Sequence, residues 1–295
     1  MDRLGMGAHS MRLLVTAFRT GETGGALLLL EDERLVAVHE HRAHLRGLCR
    51  HRGRVWVVDH TGNLYTVRHH DGLHLVRAGT HPRCWYAHDL SVFGDRLGVV
   101  SPAHGSIVLF DPDRKTWSEL QPLLPIAQAN HDVPPERWWN WYHLNSVVAD
   151  GEGYLLSLFT LTPKPRDLRW RDFIRMTDGQ GVIIPWGRSG FGDPLVTGLR
   201  CPHSLRRHQG ELWFCNSYDQ TLRTPQRRIG PLGAYTRGLD FEGNLAMVGL
   251  SRHRYDVVSS QVCGVGLVDF PSGQLTGFWQ VRPPYLEVYD VLVVD

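Results

Sequence analysis

Pro202-His-Ser-Leu-Arg-Arg-His-Gln-Gly-Glu-Leu-Trp-Phe-Cys-Asn-Ser217 decides the fold. It sets a polar residue, His203, two places before an aliphatic one, Leu205. A turn at Gln209-Gly210 follows, and then a second apolar run, Glu211-Leu-Trp-Phe214. The same phrase recurs along the chain. Arg46-Gly-Leu48 precedes Arg54-Val-Trp-Val57, and His88-Asp-Leu90 precedes Arg96-Leu-Gly-Val99. Asn145-Ser-Val147 precedes Tyr154-Leu-Leu156, and Arg237-Gly-Leu239 precedes Asn244-Leu-Ala-Met247. A last copy, Tyr289-Asp-Val291, has almost no chain after it.

The aliphatic anchors at 48, 90, 147, 205, 239 and 291 are separated by 42, 57, 58, 34 and 52 residues. Between them, short Val, Leu, Ile and aromatic runs are cut by Gly, Asp, Asn and Pro at intervals suited to strands, and helical signals are almost absent. Repeated units of about 40 to 50 residues with several strands each are the signature of a β-propeller. The sequence therefore predicts an all-β, six-bladed β-propeller, with residues 1–295 forming a single domain. The truncated last copy predicts how the ring closes. Tyr289 to Val294 would be the inner strand of a blade whose outer strands, Arg12 to Phe18, Ala26 to Leu30 and Leu35 to His39, come from the N-terminus. Such closure removes the free sheet edges.

Composition narrows the function. Lys and Arg number 32 against 30 Asp and Glu, and charged residues make up 21% of the chain. That balance argues against a nucleic-acid binder, which would concentrate basic charge. The longest apolar run, Ala26 to Leu30, falls far short of a membrane span, and the N-terminus lacks the apolar core of a secretory signal. The five cysteines, at 49, 84, 201, 215 and 263, have no metal-binding or redox spacing, which fits reduced thiols in the cytoplasm. Walker, dinucleotide-binding, GxSxG and HExxH motifs are all absent.

Histidine is abundant, at 17 of 295 residues. Residues two apart on a strand point the same way, so the entry to each inner strand presents a pair: His44/Arg46, Tyr86/His88, His143/Asn145, Cys201/His203, Tyr235/Arg237 and Glu287/Tyr289. If the anchors share that row, it turns into the channel at its mouth. His88, His143 and His203 would then converge from different blades. With Glu287, they form a candidate set for a divalent transition metal such as Fe, Zn, Cu or Mn. Arg46 and Arg237 would orient an anionic group, with Asn145 and Tyr289 beside them. The same ring could instead be a metal-free polar site or a hydrogen-bonded plug, with the arginines paired to Asp89 or Asp290. The other histidines read mostly as solvated. Surplus length at 117–141, including Trp138, Trp139, Trp141 and Tyr142, and at 160–172 falls in loops expected over the same mouth.

Residues 202–217, 235–254 and 263–279 resemble a bacterial family of the domain-of-unknown-function kind. Its members carry a Pro-His-Ser strand, an Arg-Gly-Leu strand and a Gly-Leu-Ser-Arg turn. The resemblance is weaker around Arg46-Gly-Leu-Cys49 and His143-Leu-Asn145. It implies a six-bladed propeller and brings no activity. Its matching positions are Arg46, His143, Asn145, His203 and Arg237. The expectation is an enzyme acting on a small anionic metabolite with a metal at the mouth, by lyase, hydrolase or oxygenase chemistry. The other reading is a non-catalytic module for a small ligand, sugar or peptide. Oligomeric state is not legible.

Overall fold

The computed structural model describes residues 10–19, 24–120, 142–162, 164, 168, 170–252 and 262–295. Six antiparallel sheets succeed one another along the chain. Their inner strands are Leu45–His51, Asp89–Phe93, Leu144–Asp150, Pro202–His208, Tyr235–Glu242 and Tyr285–Val294. Each packs against the next, and the last packs against the first, so the ring is closed. The chain is a six-bladed propeller.

The sixth blade is built as the sequence predicts. Tyr285–Val294 is its inner strand, and Arg12–Arg19, Gly25–Glu31 and Arg34–His41 follow outward in that order. Arg12 lies opposite Val294, and Thr16 opposite Asp290. The third blade departs from the plain pattern. Its surplus after Gly153–Leu158 contains a short helix, Trp170–Met176, and Val196–Leu199 adds a further strand against Gly181–Gly187.

The anchors belong to the core and not to the row of mouth side chains. Leu48, Leu90, Val147, Leu205, Leu239 and Val291 are at most 2% exposed, and they lie in the apolar clusters between neighbouring blades. A strand with strict alternation would send Arg46 and Leu48 the same way. The strands avoid this with β-bulges. Arg46 and Gly47 together oppose the gap between Asp59 and Val57, and Arg237 and Gly238 do the same between Leu250 and Val248. Asn145 and Tyr289 are single extra residues, and Ser204 and Leu205 break the register of the fourth blade. An extra residue resets the phase, so a polar side chain can enter the channel while its anchor stays in the core.

The glycine of the Arg-Gly-Leu phrase follows from the same packing. A Cβ on Gly47 would stand 2.3 Å from the Leu90 nitrogen, and one on Gly238 would stand 2.7 Å from the Asp290 Cα. Only glycine lets adjacent inner strands approach this closely, and Gly238 also has a φ of +79°.

Candidate functional site at the channel mouth

Three equivalent positions enter the inner strands in a left-handed conformation without being glycine: Tyr86 at φ 62°, His143 at 50° and Cys201 at 56°. Each lies two residues before a polar side chain, His88, Asn145 and His203 respectively. Non-glycine residues in this region carry conformational strain, which surrounding contacts must hold.

The mouth is assembled around the Tyr289 ring. The Arg237 guanidinium lies 3.4 Å from the ring centre, and the Arg46 guanidinium lies 4.2 Å away. Arg46 also donates to the Tyr289 hydroxyl and stacks over Phe18 and Tyr86. His88 meets the same tyrosine edge-on, with centroids 5.6 Å apart, and meets His143 at 4.7 Å. Burial pushes the Tyr289 phenol up despite both arginines, so it stays protonated.

Asn145 fixes the state of His88. Its Nδ2 donates to the Pro202 carbonyl at 2.9 Å, which leaves Oδ1 facing His88 Nδ1 at 3.1 Å. Oδ1 can only accept, so His88 carries its proton on Nδ1, and its Nε2 presents a lone pair. Burial is the main cause holding His88 well below the usual imidazole range, and His143, Arg46, Arg237 and His203 add to it. The ring is neutral at pH 7. Its Nε2 is buried and has no hydrogen-bond partner among the described residues.

Arg237 is the matching donor. It is 7% exposed, its Nε is unpartnered, and no carboxylate forms an ion pair with it among the described residues. Asp89 and Asp290 are both engaged elsewhere. Arg206 reaches each of them at 3.2 Å, and these carboxylates also accept from the Leu90, Leu48 and Val291 amides. Burial raises Asp290 against the pull of Arg206. The alternative pairing of Arg46 and Arg237 with these aspartates is therefore replaced by Arg206, which the sequence reading missed. The one available signal was that both aspartates directly follow a mouth residue, in His88-Asp89 and Tyr289-Asp290.

The proposed metal set does not gather. Among the described residues, no group of three His, Cys, Asp or Glu side chains is placed to hold a metal ion. His143 and His203 both pack against Phe159, at 4.2 and 5.3 Å, and His203 Nδ1 is engaged with the Cys201 carbonyl and Ser217 Oγ. Glu287 is half-buried beside Phe18 in the register of the sixth blade. The residues present do not fit a three-ligand centre.

Other expectations divide. The short helix sends Ile174 into a cluster with Phe159, Cys201, Tyr218 and Tyr235, adjoining His143 and His203, so the described part of the 160–172 surplus leads to the mouth. Trp138, Trp139, Trp141, His9, His131 and His253 lie outside the described residues, and Tyr142 is buried in the core. His51, expected to be solvated, is buried, with Nε2 3.1 Å from the Asp95 carbonyl. His208 stacks on Phe241 at 4.3 Å. An imidazole offers an apolar face along with a hydrogen bond, which suits such half-covered places. The Cys201 thiol is buried and pushed up, which removes it as a thiolate.

The opposite end of the channel holds a cavity of about 480 Å³, lined by Arg50, Arg206, Arg207 and Asp240 among others. Its arginines are all paired: Arg50 with Asp295, Arg206 with Asp89 and Asp290, and Arg207 with Asp150. Two buried atoms without a hydrogen-bond partner among the described residues, His88 Nε2 and Arg237 Nε, are at the mouth, and that end is the candidate site.

The sequence profile of a domain of unknown function, DUF4915, matches residues 34–295. The chain belongs to the DUF4915 family. No curated protein matches it. Among solved structures it is similar to a chain of the nidogen–laminin complex, at a TM-score of 0.62 and 12% identity, over 97% of this chain and 98% of that one. It is also similar to a protein of unknown function from Bacteroides caccae, at a TM-score of 0.63 and 9% identity, over 97% and 99% of the two chains. A proposed 6-phosphogluconolactonase from Bacteroides fragilis aligns at a TM-score of 0.57 and 12% identity, over 99% and 100%. At these identities the likeness is one of fold alone. Among the described residues no helix is long and apolar enough to cross a membrane.

Proposed function

We propose that this DUF4915 protein is an enzyme that acts on a small anionic metabolite at the channel mouth, with His88 Nε2 as general base. The observation that carries this reading is the presence together, against the Tyr289 ring, of two buried atoms without a hydrogen-bond partner among the described residues, Nε2 of a neutral imidazole of fixed tautomer and Nε of Arg237. Arg237 and Arg46 would bind the anion, and the Tyr289 hydroxyl would donate to it. His88 would take a proton from the substrate or from a water beside it. Hydrolysis and elimination both use this arrangement. The lactonase proposed for a protein of the same fold is one example of the first.

A base this far below neutrality is weak, but anion binding offsets the two arginine charges that help depress it. The bound substrate would therefore strengthen His88. The five unpaired, buried cysteines support a reducing compartment such as the cytoplasm.

The test is a panel of small carboxylates and phosphates titrated into wild-type protein, Arg237→Gln and His88→Phe, followed by turnover assays on those that bind. Arg237→Gln should lose binding at least about tenfold, while His88→Phe should still bind simple anions such as acetate and lose turnover. Anion binding unchanged in Arg237→Gln would overturn the reading. Stoichiometric metal in untagged protein, lost in His88→Phe and His203→Phe, would replace it with the metal-dependent one.

A further inference from the structure

Among the described residues, the mouth contains several donors and one buried acceptor without a partner, His88 Nε2. Arg237, Arg46 and the Tyr289 hydroxyl can all donate, and an anion alone would satisfy them. It would leave His88 Nε2 as it stands, a buried lone pair facing no donor. A buried acceptor with no partner is costly, and a ligand carrying a hydrogen-bond donor relieves that cost. The neighbouring groups do not supply one. Asn145 is committed to His88 Nδ1 and the Pro202 carbonyl, and His203 Nδ1 to Cys201 and Ser217. Both unsatisfied groups lie against the same ring: Arg237 is 3.4 Å from the Tyr289 centre and His88 is 5.6 Å from it. A ligand that reaches both can therefore be small.

We propose that the mouth selects a small hydroxy acid, a carboxylate with a hydroxyl on the adjacent carbon, whose anion seats on Arg237 and Arg46 and whose O–H donates to His88 Nε2. This rests on the reading that these residues face the substrate, and it adds the chemical class. The planar carboxylate matches the guanidinium fork. The hydroxyl answers the one acceptor the anion cannot. A site that requires such a hydroxyl discriminates strongly against an analogue lacking it, because the analogue leaves a buried group unpaired.

The test compares glycolate with acetate, which lacks the hydroxyl, and with methoxyacetate, which keeps the oxygen but cannot donate. Binding is followed by NMR titration. Glycolate should bind at least about tenfold more tightly than either, and on glycolate addition alone the ¹⁵N resonance of His88 Nε2 should move toward the hydrogen-bonded value. In His88→Phe the three ligands should bind alike, at the acetate affinity of the wild type. The Nε2 resonance is read in the wild type, so this test survives a variant that fails to fold. Equal binding of all three ligands to the wild type, lost in Arg237→Gln, would overturn the hydroxy-acid selection and leave the anion site standing. No binding of any of the three would overturn both.

Discussion

Thr16 Oγ1 accepts the Asp290 amide at 2.9 Å, joining a strand near one end of the chain to a strand near the other. The same hydroxyl donates to the Arg46 carbonyl at 2.8 Å, so one fully buried side chain ties the sixth blade both to itself and to the first. Thr16→Val keeps the shape and leaves both backbone groups buried and unpaired. It should destabilise the protein by about 1–3 kcal/mol, with an unchanged denaturant m-value. Deletion of residues 1–40 should go further and expose the whole Tyr285–Val294 edge, giving insoluble protein. A soluble monomer with the wild-type melting temperature would contradict the closure.

Gly238→Ala meets both a left-handed backbone and the Asp290 Cα. Gly243→Ala has a φ of +56° but open space around its Cβ. The first should cost about 2 kcal/mol or more beyond the second, measured by chemical denaturation. Equal costs would mean that the inner strands separate easily.

Stability should fall on mild acidification. His88 has a folded pKa below its ordinary 6.5, mainly through burial, and His39, His60, His69, His81 and His104 are lowered for the same first reason. The unfolded chain binds these protons more readily than the folded one. Their contribution to stability is therefore complete above about pH 6.5 and is lost as pH drops below that value toward the folded pKa values, while Asp290, raised by burial to about 7, takes up a proton in the folded state and opposes part of that loss. Melting temperature recorded from pH 8 to pH 5 should decline over the lower half, with a shallower decline in His88→Phe.

Arg206→Met removes the only cation seen on two buried carboxylates among the described residues. At pH 8 it should cost about 3–5 kcal/mol. Without the arginine that holds it down, the buried Asp290 carboxyl would rise further, so the folded variant binds more protons and gains stability as pH falls toward 5. Asp290→Asn in the same background should restore part of the loss at pH 8. A pH-independent deficit would show that the cluster does not hold its charge in the native state.

The features the sequence revealed share one physical basis. The aliphatic runs at 12–18 and 26–30 fill a blade core, and burial leaves a trace that can be read directly. The phrases around Arg46, His88, Asn145, His203, Arg237 and Tyr289 marked the inner strands because each joins a polar mouth residue to an apolar anchor. What misled was the phase between those two residues. A bulge adds a residue without altering composition, so alternation placed Arg46 and Leu48 on one row when the chain puts them on two. The Arg206 cluster was hidden for a different reason. Its three members stand on three blades, and the two aspartates are 117 and 84 residues from Arg206 along the chain, beyond the reach of any local pattern. The failure of the histidines to gather as a metal set has a similar origin, since Phe159 comes from the next strand of the third blade.

Closure by the first strands has a consequence for synthesis. Residues 12–41 leave the ribosome well before their inner partner, 285–294. While residues 42–284 are made, three strands await a neighbour that does not yet exist, and five other blades are completed beside them. Pairings this distant are slow to form and leave sticky edges exposed in the meantime. The nascent chain thus passes through a long interval as an open arc. Chaperone demand, and the damage done by a premature stop near the 3′ end of the message, should both be set by this interval more than by the strength of the finished ring.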